Sequence, residues 1–156
     1  MADAARVLVE TFGQKGLTFG TAESLTGGMI AAKVASVSGA STVLMGGVVA
    51  YDPRVKHEVL GVEQAVIDTA GVVSRECAMQ MALGARRVLG VDVAVSATGI
   101  AGPTGGTPET PVGTVFIGCA DATGVRVDEC HFTGDRQSVR EQSVEHALQM
   151  ALRMLV

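Results

Sequence analysis

Aromatic side chains are scarce in this chain of 156 residues, which has no tryptophan, one tyrosine and four phenylalanines. Although 47% of the residues are hydrophobic, the core must therefore be built mainly from aliphatic side chains and methionine. At this length a single domain over 1–156 is expected, with enough chain to bury a core. Twenty glycines without a collagen-like period predict tight turns and close backbone approaches rather than disorder.

Clustered positive charge is also missing. The chain has 12 lysines and arginines against 16 acidic residues, a formal net charge of −4, and the cations are scattered. Binding to nucleic acid depends on clustered cations that neutralise phosphates, so no nucleic-acid partner is expected. A small anionic ligand held by one or two cations remains compatible with this charge distribution.

Paired cysteines, metal-ligand spacings and long apolar runs are absent as well. Cys77, Cys119 and Cys130 have no CxxC spacing and apolar neighbours, which favours buried free thiols. No histidine, cysteine or carboxylate pattern has metal-ligand spacing, so no metal site is expected. No other cofactor is expected either. No apolar run reaches the ~18 residues that cross a bilayer, and the first residues show no signal-peptide pattern. We therefore expect a cytoplasmic protein without a membrane partner.

Alternating helix and strand patterns predict an α/β layered domain. The strand at 41–51 is so continuously apolar that burial on both faces is expected. A hairpin turn at 121–124 joins the last two strands, so the sheet should be mixed, with at least one antiparallel pair. Helices are predicted over 3–15, 25–36, 53–60, 75–89 and from Asp135 onward, with a weaker one over 62–69. Strands are predicted over 17–22, 41–51, 91–97, 112–120 and 125–132.

Ser24 lies in the run 21–28, Thr-Ala-Glu-Ser-Leu-Thr-Gly-Gly, between a strand-like and a helix-like segment. Serine is a frequent helix N-cap, so a purely structural role is one interpretation. The other is a nucleophile, because unpaired helix amides beside the turn could hold an oxyanion or a phosphate. Gly27 and Gly28 are poor helix formers and make sense if something approaches the backbone there. The local sequence leaves both interpretations open.

Two further strand ends carry candidate site residues. Thr98 and Gly99 open a glycine-rich loop over 98–106 that lacks the P-loop and dinucleotide patterns, yet offers backbone amides to a single phosphate. Tyr51 ends another strand, and Lys56 follows one helical turn later. Ligand sites in α/β sheets lie at the carboxyl ends of strands, so the convergence predicts a pocket. The lysine is either a solvated charge or, if it faces this pocket, a general base for a serine.

The remaining polar candidates have simpler interpretations. Glu23 orients the site, pairs with the lysine, or interacts with the helix dipole. Arg136 and Arg140 lie on the first turns of the last helix, as surface charges or as ligands of a phosphate. The three histidines have no carboxylate at a suggestive spacing and are expected to be structural or solvated. These histidines are His57, His131 and His146.

Several motifs occur together, in order, along essentially the whole chain. They are 21–28, 46–51, Lys56, 60–62, 71–74, 98–103 and 134–136. With these motifs the sequence resembles the CinA C-terminal domain family, whose enzymatic members are the PncC-type nicotinamide-mononucleotide amidohydrolases. Leu25 stands where many relatives have cysteine, at a position that is not expected to carry the chemistry.

The resemblance implies a three-layer α/β/α sandwich with a mixed sheet. It also implies hydrolysis of nicotinamide mononucleotide to nicotinic acid mononucleotide and ammonia, without a cofactor. Ser24 is then the nucleophile, Lys56 its base and Tyr51 a supporting catalytic residue. Amides at 26–28 would hold the oxyanion, while the loop after Thr98 and an arginine would hold the ribose phosphate. The implied substrate-binding residues are Thr26, Gly27, Gly28, Thr98, Gly99 and Arg140.

Other functions remain open at this point. One is a non-catalytic nucleotide- or partner-binding module linked to competence or DNA damage, an association that CinA names carry. Another is a phosphatase or esterase that uses Ser24. A homo-oligomer is expected, because the apolar surfaces of so many small-residue helices exceed what one core can bury. Longer family members also carry an N-terminal domain that resembles molybdopterin-binding proteins.

Overall fold

Five strands form one mixed sheet in the computed structural model, which describes residues 3–155. The strands are β1 (Phe19–Glu23), β2 (Leu44–Val49), β3 (Val93–Gly99), β4 (Thr114–Asp121) and β5 (Gly124–His131). Their order across the sheet is β2-β1-β3-β4-β5. The central strand β1 runs parallel to β2 and β3, whereas β4 runs antiparallel to both β3 and β5. The predicted hairpin and the mixed sheet are confirmed.

Helices cover both faces of this sheet. They are α1 (Ala4–Lys15), α2 (Met29–Ala35), α3 (Pro53–Glu58), α4 (Gln64–Thr69), α5 (Arg75–Leu89) and α6 (Arg136–Arg153), with a short 3-10 turn at Ala40–Thr42. On one face α1, α2 and α6 pack together, and α6 covers β3 and β4. On the other face α5 contacts all five strands. A separate hydrophobic cluster fills each interface, which confirms the three-layer α/β/α sandwich.

The helix ends follow the capping chemistry of the sequence. The Ser74 hydroxyl accepts from the Cys77 amide at 3.2 Å, and Gly90 ends the same helix in the left-handed conformation. The Asp135 carboxylate accepts from the Ser138 amide at 2.8 Å and starts α6. These predicted boundaries hold because each depends on one local hydrogen bond or one backbone angle.

The expectation that strand 41–51 is buried on both faces is wrong. The strand β2 lies at the edge of the sheet, where Met45 is 46% exposed and Val49 is 51% exposed. Its small residues have another cause. A Cβ on Gly46 would come within 3.1 Å of the Leu89 side chain, so a close approach of α5 excludes larger residues there. The apolar run reflects tight packing at an edge rather than burial on both sides.

The helix predicted over 25–36 is also shorter than expected. Residues 25–28 form turns, and α2 begins only at Met29. Gly27 has φ 59° and Gly28 has φ 105°, values that side-chain-bearing residues rarely adopt. Added Cβ atoms would meet only ordinary contacts at these two positions. The glycines are therefore needed for the backbone conformation and not for a close approach.

The cysteines are buried and free, as the sequence predicted. Burial raises the pKa of Cys77 to about 11, that of Cys119 to about 12 and that of Cys130 to about 11. These thiols are therefore protonated at neutral pH. Over residues 3–155, no helix combines the length and the apolarity required to cross a membrane.

Two histidines have carboxylate partners that the sequence spacing did not suggest. The His131 ring lies 2.9 Å from the Glu129 carboxylate, two residues away on the same face of β5. The His146 ring on α6 lies 2.8 Å from Asp128, which belongs to β5. The second pair depends on helix packing, so no sequence interval reveals it.

Candidate functional site

Three parallel strands end at one pocket of about 270 Å³. Ser24 follows β1, Tyr51 follows β2, and Thr98 lies near the end of β3. In the sheet β2 lies on one side of β1 and β3 lies on the other, so the direction of the strand order reverses at β1. In α/β folds, ligands bind at such a switch point. The predicted convergence of the three strand ends is what the fold produces. The residues that line the pocket include Ser24, Leu25, Tyr51, Lys56, Thr98, Gly99 and Arg136.

Lys56 faces this pocket from α3 and is only 1% exposed. Its Nζ lies 2.9 Å from the Ser24 Oγ, 2.7 Å from the carbonyl oxygen of Ala50 and 3.1 Å from that of Tyr51. Carbonyl oxygens only accept hydrogen bonds, so the two N–H groups of a neutral amine are used by Ala50 and Tyr51. The amine lone pair is then left for the hydroxyl of Ser24. This arrangement can move a proton from the serine to the lysine.

Burial lowers the pKa of Lys56 from 10.5, because a charged ammonium loses its hydration in the interior. Nearby Asp52 acts in the opposite direction and raises this pKa, as Cys77 does when it is ionised. Cys77 itself is completely buried, and its raised pKa keeps it a neutral thiol. Cys77 does not line the pocket, whereas Ser24 does, so Ser24 is the better-placed nucleophile.

Backbone hydrogen bonds fix the positions of Ser24 and Lys56 relative to each other. The Ser24 amide donates to Ala97 on the neighbouring β3 at 3.0 Å, and the Ala50 amide donates to Glu23 on β1 at 2.8 Å. Asp52 caps α3 by accepting from its second amide at 2.8 Å, and proline follows directly. Strand pairing and one helix cap thus place the Lys56 amine beside the hydroxyl.

Glu23 does not pair with Lys56 but anchors the start of α2. This fully buried carboxylate accepts the Thr21 hydroxyl at 3.0 Å and the Thr26 hydroxyl at 2.7 Å. It also accepts the amides of Ile30 at 2.8 Å and Ala31 at 3.0 Å. A carboxylate there interacts favourably with the helix dipole and satisfies amides that have no partner within the helix. These α2 amides are therefore not free to hold a ligand.

Replacing Glu23 with glutamine should destabilise the fold by about 3 kcal/mol, since hydrogen bonds to a charged group are strong. The amide NH₂ would face either Ile30 or Ala31, and that backbone amide would lose its acceptor. We expect the melting temperature to fall by roughly 6–12 °C. Thermal unfolding measures the change, with exposed Glu10→Gln as the matched control. A loss below about 1 kcal/mol would contradict this assignment of the carboxylate.

Ser24 is not the N-cap of α2, whose cap is Gly28. The Gly27 amide donates to the Ser24 carbonyl at 3.0 Å and closes the turn. Thr26, Gly27 and Gly28 do not line the pocket, although they were expected to bind substrate. Leu25 lines the pocket instead, and its amide has no acceptor within residues 3–155.

The residues after β3 line the pocket, but Thr98 is committed to the fold. Its hydroxyl donates to the carbonyl of Val72 at 2.6 Å, and the residue is only 1% exposed. A Cβ on Gly99 would lie 2.5 Å from the carbonyl oxygen of Thr114, so glycine is required by β4. Packing against neighbouring segments therefore accounts in part for the presence of Thr98 and Gly99 in this motif.

The two arginines of the first turns of α6 have different places. Arg140 donates to the carbonyl oxygens of Leu25 at 2.9 Å and Thr26 at 3.3 Å, and it does not line the pocket. Arg136 does line the pocket. The resemblance favoured Arg140, and the sequence alone could not decide between residues one helical turn apart.

No histidine or metal cluster contributes to this pocket. His57 follows Lys56 but turns away, with its Nδ1 2.7 Å from the carbonyl of Val62. Across the described part of the chain, no three histidine, cysteine or carboxylate side chains come together as a metal site would require. The chemistry available from the pocket residues is that of a serine, a buried lysine and an arginine.

Comparison with known proteins gives consistent matches over nearly the whole chain. The family model of the CinA C-terminal domain matches residues 1–155. The chain is 46% identical over 143 residues to a CinA-like protein from Citrifermentans bemidjiense, and 44% identical over 143 residues to one from Thermotoga maritima. Each alignment covers 92% of this chain, but 34% and 35% of those relatives. The chain thus spans about a third of the length of the curated relatives it matches.

Solved structures are similar as well. The competence/damage inducible protein CihA from Agrobacterium tumefaciens has a TM-score of 0.96 and 38% identity, with 98% of this chain and 94% of that chain covered. A CinA superfamily protein from Escherichia coli has a TM-score of 0.93 and 29% identity, with coverages of 99% and 93%. On the family match and these identities, the chain belongs to the CinA C-terminal domain family.

Proposed function

We propose that this protein hydrolyses the carboxamide of nicotinamide mononucleotide, releasing ammonia and nicotinic acid mononucleotide. The observation that carries the proposal is the 2.9 Å contact between the Lys56 amine and the Ser24 hydroxyl, with both carbonyl partners of the amine already in place. A serine with a neutral lysine is an established alternative to the serine-histidine-aspartate triad. The substrate is proposed from the family resemblance and from the cationic pocket.

Acylation begins when the Ser24 Oγ attacks the carboxamide carbon while Lys56 takes the hydroxyl proton. A tetrahedral intermediate forms with its negative charge on the former carbonyl oxygen. The Lys56 ammonium then gives its proton to the amide nitrogen, the C–N bond breaks, and ammonia leaves. An ester between Ser24 and the nicotinoyl group remains, and the lysine is neutral again.

Deacylation uses the same two side chains in reverse order. Lys56 takes a proton from a water molecule whose oxygen attacks the ester carbon. When the second tetrahedral intermediate collapses, the ammonium returns the proton to the Ser24 Oγ as the ester bond breaks. The product forms as the carboxylic acid, loses its remaining proton to solvent and leaves as the carboxylate of nicotinic acid mononucleotide.

The Leu25 amide is the proposed donor to the oxyanion. Leu25 lines the pocket directly after the nucleophile, and its amide has no acceptor within the described residues. In serine hydrolases with a strand-to-helix turn, the amide that follows the nucleophile serves this role. The proposal replaces the amides of 26–28, because those residues lie outside the pocket.

Incubating the purified protein with nicotinamide mononucleotide tests the activity directly. Equal amounts of ammonia and nicotinic acid mononucleotide are expected, measured by an ammonia-coupled assay and by chromatography. No release, combined with stabilisation by the nucleotide, would instead support a non-catalytic binding module. Turnover of model esters without amide turnover would support an esterase. The expected homo-oligomer, the cytoplasmic location and the lack of a nucleic-acid partner remain predictions.

Arg140→Gln should lower kcat for the nucleotide by about 10- to 100-fold with little change in KM, because a misplaced nucleophile is costly. The guanidinium holds the turn carbonyls of Leu25 and Thr26, beside Ser24, and glutamine cannot reach both. Steady-state kinetics separates the two constants. Arg6→Gln, on the exposed face of α1, is the matched control. A large rise in KM at unchanged kcat would instead support the substrate-binding role implied by the resemblance.

A further inference from the structure

The outer side of β2 is a strand edge without charged residues. Over residues 3–155, β2 pairs only with β1, so no strand lies on its other side. The run 41–51 contains neither a charged residue nor a proline. Met45, Val49 and Tyr51 are exposed hydrophobic side chains along this edge. Such an edge pairs readily with another strand, and monomeric proteins usually protect it with charges, prolines or a covering segment.

The opposite edge of the sheet is protected in this way. There β5 carries Arg126, Asp128 and Glu129. The Asp128 carboxylate also accepts from Arg153 of α6 at 3.2 Å and contacts His146 of the same helix at 2.8 Å. An added strand at β5 would meet these charges, whereas one at β2 would meet none. The contrast between the two edges indicates that another strand adds at β2.

Alternate residues of β2 direct their backbone groups away from the sheet. The Ala50 amide donates to the Glu23 carbonyl on β1 at 2.8 Å. Backbone groups alternate between the two sides of a strand, so the N–H and C=O groups of Gly47 and Val49 point away from β1. The occupant of this edge must therefore offer backbone donors and acceptors at the same spacing, as an extended strand does.

The residues around Gly47 are arranged symmetrically. Met45 lies two residues before it and Val49 two residues after it, and both are exposed. In an antiparallel pair of two β2 strands centred on Gly47, each Val49 lies opposite the partner's Met45, with both side chains on one face of the joined sheet. Two apolar contacts form, and no like charges face each other. The edge is thus complementary to itself, as a two-fold interface requires.

We propose that two copies of this chain pair through β2 in an antiparallel, two-fold arrangement centred on Gly47, which joins their sheets into one. The sequence favoured helix surfaces for a homo-oligomer, whereas the structure points to a strand edge. Tyr51 lies two residues beyond Val49 and lines the pocket, so the pairing places the rim of each pocket at an end of the interface. This inference does not depend on the proposed function.

Sedimentation equilibrium tests the interface. We expect the wild type to have the mass of two chains and Val49→Lys to have half that mass, because lysine would place a charge at each apolar contact. Val88→Lys, an equally exposed valine on α5, is the matched control and should remain a dimer. Circular dichroism and thermal unfolding should show that both variants keep the fold. A monomeric wild type, or an assembly that Val49→Lys leaves intact, would overturn the proposal.

Engineered cysteines test the register and identify the occupant. The double variant Met45→Cys/Val49→Cys should form covalent dimers on mild oxidation, because directly opposite residues lie within the ~4.4–6.8 Å between Cα atoms that a disulfide spans. Within one strand the two positions are ~13 Å apart and cannot bond to each other. Each single variant should stay uncrosslinked, since its cysteine faces a methionine or a valine. The native cysteines are buried and do not compete. No crosslink in the double variant, or equal crosslinking of a single variant, would overturn the proposed pairing.

Discussion

Ser24→Ala is expected to lower deamidation of nicotinamide mononucleotide by roughly 10⁴- to 10⁶-fold, as loss of the nucleophile does in other serine hydrolases. The methyl group cannot attack the carboxamide, and neither the lysine nor the oxyanion donor can replace that step. Ser24 is half-buried, and its hydroxyl contacts the Lys56 amine at 2.9 Å. Ammonia release at saturating substrate measures the change.

The fold should tolerate this substitution. The Lys56 amine keeps its carbonyl partners Ala50 and Tyr51, so no buried group is left without hydrogen bonds. The melting temperature should stay close to that of the wild type. Ser36→Ala, an exposed serine on the end of α2, is the matched control and should keep full activity. Activity of Ser24→Ala near the wild-type level would refute the nucleophile.

The pH dependence of kcat/KM should show an acid limb that belongs to Lys56. Only the neutral amine can accept the serine proton, so activity rises with pH until the lysine has lost its charge. Because burial lowers the pKa of Lys56 from 10.5, the plateau should begin below that pH. The profile should also be recorded with nicotinamide riboside. This compound lacks the phosphate, so titration of a phosphate cannot contribute to its profile.

Lys56→Arg and Lys56→Met should both lose activity by about 10⁴-fold or more, because the base and the acid of the mechanism are one group. The guanidinium stays charged at every accessible pH, so raising the pH should not rescue Lys56→Arg. Lys33→Met, exposed on α2, is the control for loss of a lysine charge. A Lys56→Arg variant with the acid limb of the wild type would show that another group titrates.

Local interactions explain which elements the sequence predicted well. The helix starts at Ser74 and Asp135 and the helix end at Gly90 each depend on one cap, which neighbouring residues specify. Errors occurred where small residues had more than one possible cause. In 25–36 they reflect the left-handed turn at Gly27 and Gly28, and in β2 they reflect close packing at an edge.

The candidate site divides in the same way. Ser24, Tyr51 and Thr98 were predicted as one pocket because carboxyl ends of parallel strands share one side of a sheet. The orientation of Lys56 stayed open, since it depends on the path from β2 into α3. The sequence did not show which of Arg136 and Arg140 lines the pocket, because the two residues are only one helical turn apart. Arg136 lines the pocket, whereas Arg140 holds the loop that follows Ser24.

Capping, periodicity and motifs act over short stretches of chain, so the order of helices and strands, the serine at a strand end and the family could be predicted from the sequence. The folded structure was needed to show that the Lys56 amine meets the Ser24 hydroxyl, that Glu23 accepts from the α2 amides, and that Arg136 lines the pocket. These contacts join segments up to 85 residues apart, as between Tyr51 and Arg136. Their geometry follows from strand order and helix packing, which no local pattern encodes.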